Sequence, residues 1–453
     1  MSTSALLLIA LASVVLLLLL VIKAKAHPFV ALLIVSLLVA FATGIPADKI
    51  ITTIEKGMGG LLGHIASIII LGSMLGVLIE ISGGAESLAK TLTGVLGAKR
   101  TIAALTIVAF ILGTPVFFEV GFIIIIPLIY GFSKVAHVSP LKFGLPMAGV
   151  MLTVHVALPT HPGAAAAAGI LHSDVGWLML AGIGVSVVVG IVGYFVARFI
   201  NRRHYHLSIN VLEQQQTAEV PDLSVNAQQT RLPPPNALVI GGLIVVPIML
   251  IVSGTLCQAL LLPENAVRQL MTVIGTPPVA LLISLGLASW TLGIRRRMSL
   301  KKLGEVTGSA IPSSADVILV AGAGGAFGGV LVASGIGNAL AEALETIHLP
   351  LMPAAFLLSL VLRASQGSAT VAILTTSGLL SQAVVGLEPL QLVLVTLATC
   401  FGSLGLSHVN DAGFWVVTRY LGLSVPDGLK TWTVLTTIMG VTGFLITWLL
   451  WFL

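Results

Sequence analysis

Apolar residues come in long blocks along this chain, and the polar positions between them sort into three kinds. Ala5 to Ile22 is the first block and the stretch near Trp432 to Leu453 the last. Blocks of this length predict helices that cross a hydrocarbon core of about 30 Å. Short basic loops separate several of them. One long polar segment, His204 to Asn236, is rich in Gln and Pro. The third kind is small: clusters of Gly, Pro, Ser, Thr and His, with an occasional charge, inside blocks that are otherwise apolar. Backbone freed there is tolerable in a membrane only where protein or a water-filled cavity surrounds it, so these clusters mark the interior of the molecule.

Composition narrows the class. Of 453 residues, 57% are hydrophobic and 9% charged, which no water-soluble fold of this size could hide from solvent. The reading is an all-α polytopic membrane protein. The first block lacks a basic flank, and "KAKAHP" stands where a signal-peptide cleavage site would be, so it is read as a retained helix. A net charge of +5 would suggest nucleic acid for a soluble protein. Here the basic residues sit in loops between spans and report orientation, so no nucleic-acid partner is expected. Cys257 and Cys400 lie far apart and indicate neither a disulfide framework nor a metal site; no cofactor is expected.

Sliding the chain on itself by 252 residues aligns "LGSMLGVLIEISGGAESLAKTL" from Leu71 with "AGGAFGGVLVASGIGNALAEAL" from Ala323. Identities fall at Gly72/Gly324, Gly76/Gly328, Ser82/Ser334, Gly83/Gly335, Leu88/Leu340, Ala89/Ala341 and Leu92/Leu344. A similar shift sets "PTHPGAAAA" from Pro159 opposite "VNDAGFWVV" from Val409. The repeat unit is half the protein, residues 1–203 and 237–453, joined by a linker 204–236. Charge gives direction. "GAKR" ending at Arg100 is basic and its counterpart "ALETIHLP" acidic, while "IPADKIITTIEKG" is balanced and its counterpart "IRRRMSLKK" strongly basic. Short cytoplasmic loops hold the excess of Lys and Arg, so equivalent loops fall on opposite sides, the linker is cytoplasmic and both termini lie outside. Consistent placement requires Thr101 to Phe132 to be a hairpin entering and leaving from the cytoplasmic side, and Pro350 to Gly386 its mirror image. Each half then has about five spans, one re-entrant hairpin and one broken transmembrane helix. An inverted-topology repeat with interrupted helices is the signature of a secondary transporter whose site lies at the midplane.

Four interruptions carry the candidate chemistry. In "LRASQGSATVAIL", Arg363 precedes a polar tip formed by Ser365, Gln366 and Ser368. An arginine at the bilayer centre costs roughly 2.5 to 3.5 kcal/mol even on a lenient scale. Either a substrate carboxylate, matched bidentately by the guanidinium fork, or a permanent salt bridge to Asp411 or Glu119 offsets it. The first hairpin turns at "GTPVFFEVG", where Glu119 begins the second arm, either as a proton carrier or as an acid that stabilises a helix N-terminus. In "TVHVALPTHPGAAAAAG", Pro159 and Pro162 bracket Thr160 and His161, and a half-helix starting at Pro162 aims backbone N–H groups at the midplane, where an anion is favoured. His161 is either a ligand donor or a packing residue. With His155 it forms a weak metal candidate, since a spacing of six fits no single helix face and no third ligand is near. "FGSLGLSHVNDAGFWVV" offers Ser407, His408, Asn410 and Asp411 before another helix. They serve as a helix cap or as partners for a hydroxylated solute, with Asp411 a second proton-coupling candidate. The Gly-rich "AGAGGAFGG" from Ala321 has no preceding strand and reads as close helix packing, not a nucleotide loop.

Together "GTPVFFEVGFIIIIPL", "KFGLPMAGVMLTVHVALPTHPG", "LRASQGSATVAILTT" and "LSHVNDAGFWVVTRYLGLS" make the chain similar, over essentially its whole length, to the gluconate permease (GntP) family of the ion transporter superfamily. One departure is that the family's first motif more often has Asp where Glu119 stands. The resemblance implies proton-coupled uptake of gluconate or a related sugar acid across the bacterial inner membrane, with D-serine and four-carbon sugar acids as alternative cargo. The partners it implies are a small carboxylate substrate, protons and the lipid bilayer. The wider superfamily implies an elevator movement of the hairpin-bearing domain. A sodium-coupled carboxylate carrier of the same architecture and an intramembrane hydrolase using the histidines and Asp411 are the rival readings. Oligomeric state is left open, with a homodimer among the options.

Overall fold

The computed structural model describes residues 1–97, 100–217, 234–346, 349–409 and 411–453. Every regular element among them is a helix. The first half contains α1 (Thr3–Leu18), prolonged by a π turn, then α2 (Pro28–Ala42), α3 (Ala47–Ile81) and α4 (Gly84–Leu96). Next come the hairpin α5 (Thr101–Gly113) and α6 (Phe118–Val135), the broken pair α7 (Leu141–Ala157) and α8 (Pro162–Ile170), and α9 (Val175–Ile200). A short α10 (Ile209–Thr217) follows. The second half begins with α11 (Ala237–Leu260), α12 (Ala266–Ile274), α13 (Pro277–Ala288), α14 (Leu300–Gly308), α15 (Ala310–Ser334) and α16 (Ile336–Thr346). It continues with the hairpin α17 (Leu351–Gln366) and α18 (Ala369–Leu380), the broken pair α19 (Pro389–Leu404) and α20 (Ala412–Tyr420), a turn α21 (Val425–Gly428) and α22 (Val434–Leu450).

Local chemistry sets these boundaries. Prolines open α2, α8, α13 and α19, where a missing N–H costs nothing. Asp174 caps α9 by accepting from the Trp177 N–H at 2.8 Å, and Glu388 with Gln391 forms a capping box on α19. Gly367, at φ +81°, ends α17 in the left-handed conformation that a side chain would strain.

Among the described residues, eight helical segments are long and apolar enough to cross a membrane, five before residue 201 and three after residue 236. In the second half α17, α18, α19 and α20 have 16, 12, 16 and 9 residues, and α15 contributes the apolar run Ile318–Ser334. At 1.5 Å per residue, each is shorter than the hydrocarbon core. Part of the linker is helical: α10 packs on α6, and Gln215 donates to Ser133 Oγ at 3.0 Å and to the Val138 carbonyl at 2.9 Å. Residues 218–233 lie outside the described part.

The Gly-rich run of α15 crosses α3 backbone to backbone. A Cβ on Gly57 would lie 2.5 Å from the Gly325 carbonyl oxygen, and one on Gly325 would lie 2.7 Å from that of Gly57. Only glycine permits this approach. The hairpins are cross-braced: α5 packs on α7 and α17 on α19 within each half, whereas α6 reaches α20 and α18 reaches α8 of the other half. Both hairpin tips and both helix breaks are thereby drawn into one interior region.

Candidate functional site

Arg363 lies in the last turn of α17 and is 2% exposed. Its guanidinium donates through Nη2 to Asp411 Oδ2 and through Nη1 to the carbonyl of Gly367, while Nε is buried with no partner. Asp411, 5% exposed, is the N-cap of α20: its Oδ1 accepts from the Gly413 N–H at 2.9 Å. Its Oδ2 also accepts from Ser407 Oγ. Ser407 in turn accepts from Trp432 Nε1 at 2.7 Å, and the Trp432 indole stacks on Phe118 at 5.8 Å between ring centroids. A desolvated ion pair is tolerable here because the Asp411 carboxylate also accepts from Ser407 and the Gly413 N–H, while the guanidinium has a second acceptor in the Gly367 carbonyl. The salt bridge weighed from the sequence is the arrangement seen, with Asp411 as its acid.

Glu119, in the first turn of α6, lies close enough to Arg363 and Asp411 to interact electrostatically with both. The three ionisable groups therefore form one cluster, drawn from the tip of each hairpin and the α19–α20 break. His408 Nε2 donates to the Ala364 carbonyl at 2.7 Å and ties the break to the hairpin. Two tip residues bond within the hairpin itself. Ser365 Oγ donates to the Val361 carbonyl of its own helix, and Ser368 caps α18 by accepting from the Val371 N–H. The Gln366 side chain and Asn410 lie outside the described residues.

The α7–α8 break packs against the tip of the first hairpin. His161 Nε2 donates to the Gly113 carbonyl at the first hairpin's tip, 2.8 Å away. His155 and His161 are brought together, with ring centroids 4.7 Å apart. A spacing of six had argued against a shared face, but the turn Leu158–His161 replaces helix between them and folds His161 back on the last turn of α7. No group of three metal-ligating side chains forms among the described residues. The Thr160 hydroxyl and both His Nδ1 atoms are buried without partners. The N-terminus of α8 carries no side-chain cap, and neither does that of α6, whereas Ser368 and Asp411 cap α18 and α20. The uncapped ends thus belong to the first half, and they leave backbone donors for an anion.

The family model described as "GntP family permease" matches residues 5–453. The chain belongs to the GntP permease family. Among GntP relatives, the inner membrane permease YgbN of Escherichia coli K12 is 61% identical over 100% of this chain and 99% of its own length. A gluconate permease of Bacillus licheniformis is 38% identical over 98% of this chain and 99% of its own. The YdaH transporter of Alcanivorax borkumensis shares the fold at a TM-score of 0.59 and 13% identity, covering 92% of this chain and 98% of its own. This GntP family member is a permease, not an enzyme, and a multi-pass inner-membrane protein. Trp432 and the Gly367 carbonyl were not anticipated from the sequence. Trp432 bonds a residue 25 positions away across a chain reversal, and no local spacing signals such a pair. From the sequence His155 reads only as a weak metal ligand, whereas in the fold its ring lies against His161.

Proposed function

We propose that this permease is a proton-coupled symporter that takes up gluconate or a related small sugar acid. The observation that carries the reading is the Arg363–Asp411 pair at the meeting of two hairpin tips and a helix break. While Asp411 is ionised it holds the guanidinium. A proton added to Asp411 removes that partner's charge, and the fork is then free to take a substrate carboxylate bidentately. One proton and one anion enter together, so the buried charge is unchanged in the loaded carrier, which lowers the cost of moving it through the bilayer. Glu119 is the second proton-coupling candidate, because its charge acts on the same pair. Thr160, His161 and the uncapped end of α8 offer hydroxyl, imidazole and amide partners for a polyhydroxylated chain.

The transport step is an elevator movement of the hairpins and broken helices against α3 and α15, within two halves of inverted topology. Glycine-lined contacts support a sliding interface: a Cβ on Gly328 would lie 3.7 Å from the Gly378 Cα, and one on Gly76 would lie 3.0 Å from the Pro115 carbonyl oxygen. Relatives named gluconate permease support the substrate class. Purified protein in liposomes, given an inward pH gradient and no sodium, is expected to concentrate gluconate. Accumulation that needs sodium instead overturns the proton coupling. A thermal-shift panel in which D-serine or a four-carbon acid stabilises the protein and gluconate does not overturns the substrate.

A further inference from the structure

A cleft of about 760 Å³ opens beside the end of α9, away from the charged cluster at the hairpin tips. Its lining includes Lys142, Arg198, Arg202 and Arg203, all exposed, and among the described residues none of the four has a carboxylate within ion-pair distance. Asp427, whose charge acts on the lining Tyr205, accepts from Ser424 Oγ at 2.7 Å and does not itself line the cleft. Arg198 rests over the Tyr194 ring and Arg202 over the Phe199 ring, each at 5.7 Å, which positions the guanidinium planes without consuming their N–H groups. At the cleft wall Asn201 donates to the Leu141 carbonyl at 3.3 Å and keeps Oδ1 buried without a donor.

Depth and shape identify the ligand class. The spanning segment Val175–Ile200 ends here, so Arg198 to Arg203 sit at the level of lipid headgroups, while the exposed rings of Phe195 and Phe199 border the cleft on the hydrocarbon side. Unpaired cations call for a phosphate, flanking aromatics for acyl chains, and the orphan Asn201 acceptor for a hydroxyl. A zwitterionic headgroup would bring an ammonium against the guanidinium groups. We infer that this cleft binds an anionic phospholipid with a glycerol headgroup, of the phosphatidylglycerol class.

The test is native mass spectrometry of full-length protein exchanged from phosphatidylcholine nanodiscs into mild detergent with phosphatidylglycerol, phosphatidylcholine or inorganic phosphate. Wild type is expected to retain phosphatidylglycerol in preference to phosphatidylcholine, and inorganic phosphate at equal concentration to leave that lipid in place. The triple variant Arg198→Gln/Arg202→Gln/Arg203→Gln should hold it roughly a hundredfold more weakly. Asn201→Asp, which keeps the cations and adds a carboxylate, should also lose it. Equal retention by the folded variants overturns the site. Displacement by inorganic phosphate overturns the lipid in favour of a free anion. Should the triple variant fail to fold, equal retention of the two lipids by wild type overturns the proposal, and selective retention lost in Asn201→Asp upholds it.

Discussion

The guanidinium of Arg363 is held by Asp411 and the Gly367 carbonyl and has one unpartnered nitrogen, which sets how each substitution should fail. Arg363→Ala strands a buried carboxylate, a loss of about 3 to 5 kcal/mol, so detergent-solubilised yield should collapse. Arg363→Ala with Asp411→Asn should recover that yield, but not transport. Arg363→Lys keeps the charge and the fold. Because an ammonium cannot make two parallel hydrogen bonds to a carboxylate, substrate affinity should fall roughly ten- to more than a hundredfold. Unchanged affinity in that variant, with yield rescued in the double one, would reduce Arg363 to scaffold. Glu119→Gln removes a charge acting on the same pair. It should abolish accumulation driven by a proton gradient and leave exchange of labelled for unlabelled substrate measurable; normal accumulation would assign the proton to Asp411 alone. Much of this site was legible because a charge in an apolar block is costly and must have a partner. Which partner was not legible, since Asp411 and Glu119 are both acids at helix starts and only the cross-bracing of α6 on α20 and α17 on α19 ranks them.

At the scale of elements, the crossing of α3 and α15 makes the sharpest prediction. Gly57 has no room for a Cβ because the Gly325 carbonyl is rigid backbone, whereas Gly63 on the same helix faces open space. Gly57→Val should lower the thermal midpoint of the purified protein by the equivalent of about 1 to 3 kcal/mol, the usual effect of overpacking. Gly63→Ala should leave it equal or higher, since alanine is the better helix former by about 1 kcal/mol. Equal midpoints would mean that α3 and α15 do not meet at Gly57. The hairpin and the break in each half were readable from Pro, Gly and polar clusters inside apolar runs. Two helices were not. α12 has nine residues and buries none of them, so hydropathy does not single it out. α10 is polar in sequence, and what fixes it is long-range: the bonds from Gln215 and the burial of Val211 in the core.

For the molecule as a whole, the proposed inverted topology puts the linker and the termini on opposite sides of the bilayer. The geometry of the first half supports this. Ile102 at the base of α5, Val138 and Lys142 after α6, and Arg198 to Arg203 at the end of α9 border one cleft. Both ends of the first hairpin thus open on the face that carries the basic loops, which short-loop charge assigns to the cytoplasm. The same face holds α10, whose Ser208 neighbour donates its N–H to the Gly422 carbonyl at 2.9 Å. A labelling site in the linker must avoid Gln215, whose side chain is engaged, so the exposed Gln216 is the better choice, with exposed Ser2 marking the N-terminus. Cys257 and Cys400 are the native thiols and are first replaced by alanine. With an impermeant maleimide added to intact spheroplasts, Ser2→Cys should label and Gln216→Cys should label only after lysis. Labelling of both from outside, or of neither, would require an odd number of crossings to be redrawn between residues 2 and 216, and the two halves would then run in the same direction.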